Sequence, residues 1–374
     1  MSSAPKPRPY IIAPFLLEQA TWGGDYIVSY KGWQNVGDLG DAKIGQSYEL
    51  YGESVLVPDI VDTSDSRFGP DSQVASGAAL PLGELIEQAP HQVLGEKVTA
   101  TTDRMPLLIK FTQARGNSFQ LHKRLEDSDA YWQSKPETWY YLEEGLATLG
   151  LAPNADVAEY KAACLRIEAE MIRLSGQVRD GAVSVDQARA MAKELISAED
   201  PRQYVNVRRM KKGDVADLSG GGVHHSWEDD PRSQLGNVLY EVQHDVADAV
   251  CTVRSFDQGK IADNGTVRPV SIEDYFRLID TDPVANDVRV VQAEGSQLVT
   301  TPTYSLDEFV VDGDHTQATG GSFNHLFVRE GTVTVSGGEV SLEVTKGHSC
   351  FIPAGMESYV LRSSDRAAVF RTYV

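Results

Sequence analysis

The chain has 374 residues and a formal net charge of −20, with 41% hydrophobic and 24% charged positions, a globular profile long enough for two cores and an insertion. The charge argues against a nucleic-acid binder, which needs a basic footprint on phosphates, and the apolar runs fall far short of a membrane span. Cys164, Cys251 and Cys350 are too scattered for a disulfide framework or a thiolate metal knot, and residues 1–10 carry no apolar secretory core, so a cytoplasmic setting is expected.

Residues 107–111, 118–122 and 137–142 read as short strands separated by polar segments. From 150 to 202 the pattern changes. Val157, Tyr160, Cys164, Ile167, Met171 and Leu174 recur at helical spacing behind a cap at Asn154. Ser184 with Gln187 forms a capping box ahead of a face made by Ala188, Met191 and Leu195, and Pro201 follows the end. Strand patterning resumes at 204–208, 237–241 and 251–256. The last segment alternates apolar pairs with turns at Gly331, Gly338 and Gly347, which predicts a small barrel or jelly roll.

The segment 118–122 carries the most chemistry. Alternation along a strand puts Ser118, Gln120 and His122 on one face and Phe119 and Leu121 on the other. Lys135, Glu137, Trp139 and Tyr141 share a face in the same way. A barrel whose interior is a site and whose exterior is packed produces this pattern. The glycine turn 220–222 then delivers His224 and His225 beside a further strand. Two imidazoles, a carboxylate and an amide oxygen suit one zinc ion per chain with an open coordination position. Lacking a thiolate, the set would also accept other divalent ions. An anionic substrate in a chain of charge −20 requires a site that supplies its own positive charge.

The order of these motifs resembles the type I mannose-6-phosphate isomerases of the cupin superfamily. The residues that carry the resemblance are Gln120/His122, Lys135/Glu137/Trp139/Tyr140 and the Gly222-Val223-His224 turn. Upstream they are Trp22-Gly23-Gly24, the 44–50 motif Ile-Gly-Gln-Ser-Tyr-Glu-Leu and the 106–110 motif Pro-Leu-Leu-Ile-Lys. Glu241-Val242-Gln243, the stretch 252–257 and the stretch 264–268 continue the family order. The resemblance implies a mainly β fold of two cupin (jelly-roll) barrels. The catalytic barrel would span 1–149 and 203–283, a helical insertion 150–202, and a second barrel 284–374. His325 and His348 of the second barrel lack a clustered carboxylate, and no metal is expected there.

By the same resemblance the metal ligands are Gln120, His122, Glu137 and His224. The active-site arginine is Arg254, and the phosphate-binding groups are Ser118, Lys110 and Lys260. The implied activity is interconversion of mannose 6-phosphate and fructose 6-phosphate by proton transfer through an enediolate. Lys135 is the expected acid–base group, its pKa lowered beside the cation; a metal-bound water, His244 and Glu49 are the alternatives. A small sugar phosphate is the expected partner, with no nucleic acid, membrane or obligatory protein. Departures from the family pattern stand at Gln46, Tyr48, Lys123, His225 and the 243–248 stretch. They leave open an isomerase of a related sugar, and a non-catalytic cupin that binds a sugar or sugar phosphate is the competing class.

Overall fold

The computed structural model describes residues 7–19, 22–70, 79–116, 118–226, 232, 234–292 and 296–374. The fold is mainly β, as expected, and the described residues form three antiparallel sheets. A seven-stranded sheet runs, in spatial order, Val290–Gln292, Asp214–Asp217, Glu137–Tyr141, Asn237–His244, Leu107–Ala114, Ile44–Leu50 and Phe15–Glu18. A five-stranded sheet runs Val205–Met210, Gly145–Leu151, Gly222–Ser226, Phe119–His122 and Val253–Phe256.

These two sheets face each other, and the space between them has two characters. One end is filled by Trp139, Tyr141, Ala147, Leu149, Met210, Ala216, Leu218 and Leu239. The other end holds the polar side chains described below. The outer faces are apolar for the reason read from the alternation. Phe119, Leu121, Val223, Val253 and Phe256 pack against a helical layer that includes Tyr160, Ile167 and Tyr275. Ile109, Phe111, Tyr240 and Val242 pack against the C-terminal strands. Alternating faces thus pack outside and leave an interior for chemistry.

The helical layer consists of Val157–Arg179, Val185–Glu199 and Ile272–Leu278. Of the predicted stripe, Tyr160, Cys164, Ile167, Met171 and Leu174 are buried, and Val157 is half-buried. Its cap is Asp156 rather than Asn154: the Asp156 carboxylate accepts from the backbone N–H groups of Ala158 and Glu159. The capping box of Ser184 and Gln187 is present, but the buried face of that helix is Ala188, Ala192 and Ile196, with Met191 at 38% exposure. The small alanines let the helix approach the loop at Gly259, where an added Cβ would stand 2.7 Å from Ile196 Cδ1. The expected strand at 251–256 is shorter, because Asp248–Cys251 forms a helical turn and the strand begins at Val253.

The third sheet contains strands Gln297–Thr300, Ser305–Ala318, Asn324–Glu330, Thr332–Gly337, Val340–Thr345, Ser349–Ile352 and Ser358–Tyr373. Gly331, Gly338 and Gly347 all have positive φ at its turns. Strand Tyr10–Ala13, from the start of the chain, joins the same sheet with Tyr10 opposite Phe351. No described helix is long and apolar enough to cross a membrane.

Candidate metal centre and cavity

Register assembles the site. In the five-stranded sheet Gly222 pairs with His122 and His224 pairs with Gln120, while Arg254 flanks Gln120 from the other side. The turn that sets this register depends on Gly221, with φ of 79° and a Cβ position only 2.8 Å from the His122 carbonyl oxygen; a side chain there would push the strand away. Across the interior, Glu137 opens its strand in register with Gln243.

His122 Nε2 lies 3.3 Å from Glu137 Oε2, and His224 Nε2 lies 3.2 Å from Glu137 Oε1. All three residues are buried, and their ligand atoms fall within 4.8 Å of one another. The far ring nitrogens fix the tautomers. His122 Nδ1 donates to the Cys251 carbonyl at 2.7 Å and His224 Nδ1 to the Gly222 carbonyl at 2.9 Å. Both Nε2 atoms therefore present lone pairs inward, the arrangement metal-binding histidines use. His122 Nε2 makes no hydrogen bond despite its burial, and the partner of Glu137 Oε2 is the Lys135 ammonium at 3.2 Å. An imidazole lone pair facing a carboxylate oxygen at 3.3 Å is costly unless a cation sits between them.

The charges agree with that reading. Burial, and then the Lys135 ammonium, depress the His122 pKa to about 4, so the ring is neutral near pH 7. Burial pushes Glu137 upward, but the Lys135 ammonium beside it outweighs burial and holds its carboxyl well below the usual range.

Gln120 and Ser118 continue the array. Ser118 Oγ donates to Gln120 Oε1 at 3.1 Å, and Gln120 Nε2 lies 3.2 Å from His224 Nε2. In this orientation the amide nitrogen faces the cluster, so ligation through oxygen requires the amide to turn over. Arg254 Nε donates to Ser118 Oγ at 2.9 Å. Lys135 Nζ stands 3.2 Å from both Glu137 Oε2 and Gln243 Oε1. These groups open onto a cavity of about 460 Å³, within the usual range for small-molecule sites.

Residues 295–372 match the family model described as mannose-6-phosphate isomerase, cupin domain. No curated protein matches in sequence. The mannose 6-phosphate isomerase of Bacillus subtilis superposes with a TM-score of 0.65 at 15% identity, over 98% of this chain and 100% of that one. The Salmonella typhimurium mannose 6-phosphate isomerase, solved with f6p and zinc, gives 0.63 at 14% identity over 97% and 99%. The chain has the fold of the mannose-6-phosphate isomerases.

Within that mannose-6-phosphate isomerase fold, Lys110, Ser118, Gln120, Lys135, Glu137 and Arg254 all line the cavity. Lys260 does not. It borders a separate cavity of about 300 Å³ beside the helix Val157–Arg179, and its ammonium donates to the Gly116 carbonyl at 2.7 Å. His225, one residue past His224, turns to the outer face against Phe119. Of the alternative acid–base groups, Glu49 is remote: it is held by Lys31, Ser47 and Ser349 on the C-terminal side of the sheet. His244 is also absent from the cavity wall.

The expected surplus of positive charge is missing from the side chains. Lys110, Lys135, Arg254 and Arg268 on the wall face four carboxylates there, Glu137, Glu241, Asp245 and Asp248. Lys110 pairs with Glu241 at 3.0 Å and Arg254 with Asp248 at 2.6 Å. The Lys135 pKa is not lowered by the protein's own charges. Burial pulls it down, but Glu137 above all pulls it up, and the net displacement is upward. Sequence reasoning missed Glu241 and the wall formed by Trp22, Tyr48 and Tyr51. The alternation of Glu241 and Gln243 around Val242 was the available signal for the first. For the wall it was the pairing of glycine motifs: a Cβ at Gly45 would strike the Trp22 ring at 2.5 Å.

Proposed function

We propose that this protein is a metal-dependent aldose–ketose isomerase that interconverts mannose 6-phosphate and fructose 6-phosphate. The observation that carries the reading is the buried His122 Nε2, which makes no hydrogen bond, facing Glu137 Oε2 at 3.3 Å, with Glu137 and Lys135 lining a charged cavity. The donor set fits zinc, with His122, Glu137 and His224 as ligands and Gln120 as the fourth once its amide turns. A bound divalent ion would act as a Lewis acid toward the oxygens of an enediolate and supply the positive surplus that the balanced wall lacks.

The remaining work falls to the chain's own side chains. Lys135 keeps its proton at Nζ near neutral pH, because Glu137 raises its pKa. It therefore acts as an acid that donates to the carbonyl oxygen as the enediol forms and recovers the proton when the carbonyl re-forms on the neighbouring carbon. Gln243 Oε1 accepts from the same ammonium and fixes its direction. Arg254, oriented by Ser118, is placed to hold the phosphate or the developing oxyanion, with Lys110 and Ser118 completing the anionic end. Lys260 belongs to this set only through its contact with Gly116, two residues before Ser118. Trp139 and Trp22 line the apolar part of the wall and help exclude water.

The deciding experiment combines elemental analysis of the purified protein with an assay of mannose 6-phosphate conversion, with and without a chelator. Near-stoichiometric zinc with chelator-sensitive turnover supports the proposal. A protein that turns over equally well when stripped of metal sinks it. A second reading, isomerisation of a related sugar phosphate, is favoured by one observation. Gln46 and Tyr48, which depart from the family pattern, both line the cavity. Faster turnover of another aldose phosphate under the same conditions would select that reading.

A further inference from the structure

We propose that Asp248 is a placeholder for the ligand's phosphate: in the ligand-free protein it occupies the guanidinium of Arg254, and an incoming phosphate must displace it. The inference rests on the sugar-phosphate reading above. Three contacts fix Arg254. Its Nε donates to Ser118 Oγ at 2.9 Å, one terminal nitrogen donates to the Thr252 carbonyl at 3.4 Å, and the other donates to Asp248 Oδ2 at 2.6 Å. Ser118 and Asp248 line the cavity, whereas the Thr252 carbonyl belongs to the backbone just before the strand of Arg254. The partners differ in exposure: Ser118 is buried and the Arg254 side chain is 14% exposed, whereas that of Asp248 is 68% exposed. An outlying carboxylate therefore caps a largely buried guanidinium, and both residues line the same cavity.

The local chain explains how this arises. Asp248 opens the helical turn Asp248–Cys251, directly before the strand that carries Arg254, and the turn brings its carboxylate back across the guanidinium. An ion pair with so exposed a partner contributes little, because water and salt screen it. A phosphate dianion offers more charge and a third oxygen to a fork that Ser118 has already oriented. Displacement is therefore favourable for a ligand that is also anchored at its sugar end. An anion held by Arg254 alone, such as inorganic phosphate, has to overcome the same competitor without that second anchor. Asp248 would thus keep the arginine poised while discouraging small anions such as inorganic phosphate from lingering. It is a positioning residue rather than a catalytic one.

The test titrates inorganic phosphate into the metal-supplemented full chain by calorimetry, for the parent protein, Asp248→Asn and Asp245→Asn. Asp245 is a wall carboxylate that accepts from the Gly52 backbone N–H instead of from Arg254, so its variant controls for the mere loss of a negative charge. Asp248→Asn should bind phosphate roughly three- to tenfold more tightly, with Asp245→Asn near the parent value. In steady state Asp248→Asn should lower KM for mannose 6-phosphate by a similar factor without raising kcat, and strengthen inhibition by phosphate. Unchanged or weaker phosphate binding in Asp248→Asn, or an equal gain in Asp245→Asn, would overturn the placeholder role. A chain without isomerase turnover whose Asp248→Asn variant still tightens on phosphate keeps the placeholder and discards the isomerase reading.

Discussion

The ring of His225 lies 3.6 Å, centroid to centroid, from that of Phe119, on the helix-facing side of the five-stranded sheet, while its neighbour His224 points inward to Glu137. Adjacent histidines on one strand must diverge in this way, and the divergence separates binding from stability. His224→Ala should lose bound metal and turnover while folding. His225→Ala should retain metal but lose on the order of 3 kcal/mol of stability, because it deletes a buried ring and its contact with Thr148. Metal content and thermal melting of the two variants decide between them. A His225 variant that loses metal as completely as the His224 variant would reverse the assignment.

Lys135 can be separated from the metal in the same spirit. Lys135→Met keeps the volume of the buried stem and removes the ammonium that stands 3.2 Å from Glu137. The variant should still bind metal, and kcat should fall by roughly 10²–10⁴. Parent-like turnover would remove Lys135 from the acid–base chemistry.

His325 and His348 give the C-terminal sheet a defined acid sensitivity. Burial depresses both from 6.5 to about 3. The unfolded chain therefore takes up more protons than the folded one in that interval, so the stabilisation is present above pH 6.5 and drains away as pH falls toward 3. Melting temperature should drop steeply through this window. His348→Phe, placed between Trp33 and Phe68, should flatten the slope; an unchanged slope would assign the sensitivity to other groups.

Lys31 and Glu49 pair at 2.7 Å with side chains fully buried, and Glu49 also accepts from Ser349 of the C-terminal sheet. Lys31→Met strands a buried carboxylate and should cost about 3–5 kcal/mol in denaturant unfolding. Adding Glu49→Gln should recover part of that loss. A Lys31→Met protein as stable as the parent would show that the pair contributes nothing to holding the sheets together.

The parts of the site that were legible in the sequence obey short-range rules. The period of two sorted Gln120 and His122 from Phe119 and Leu121, and a glycine turn announced His224. What escaped depends on long-range docking. Whether Met191 or Ala192 faces inward is decided by the loop at Gly259, far along the chain, and helical periodicity admits either. Nor does spacing reveal that Glu241 will neutralise Lys110 at 3.0 Å, since that pair is made across neighbouring strands. The resemblance placed Lys260 with the phosphate groups by its distance from Arg254 in sequence. The strand that carries Arg254 ends at Phe256, and the loop beyond it brings Lys260 to a different cavity.

The pairing of Tyr10 with Phe351 has a consequence for how the molecule is made. Strand Tyr10–Ala13 leaves the ribosome more than three hundred residues before its partner Ser349–Ile352 is synthesised. During translation an apolar strand must wait with an open edge. That edge can recruit other nascent chains, and it closes only when the far end of the polypeptide arrives. Conditions that slow synthesis or shorten the chain near residue 350 therefore threaten the first strand as much as the last.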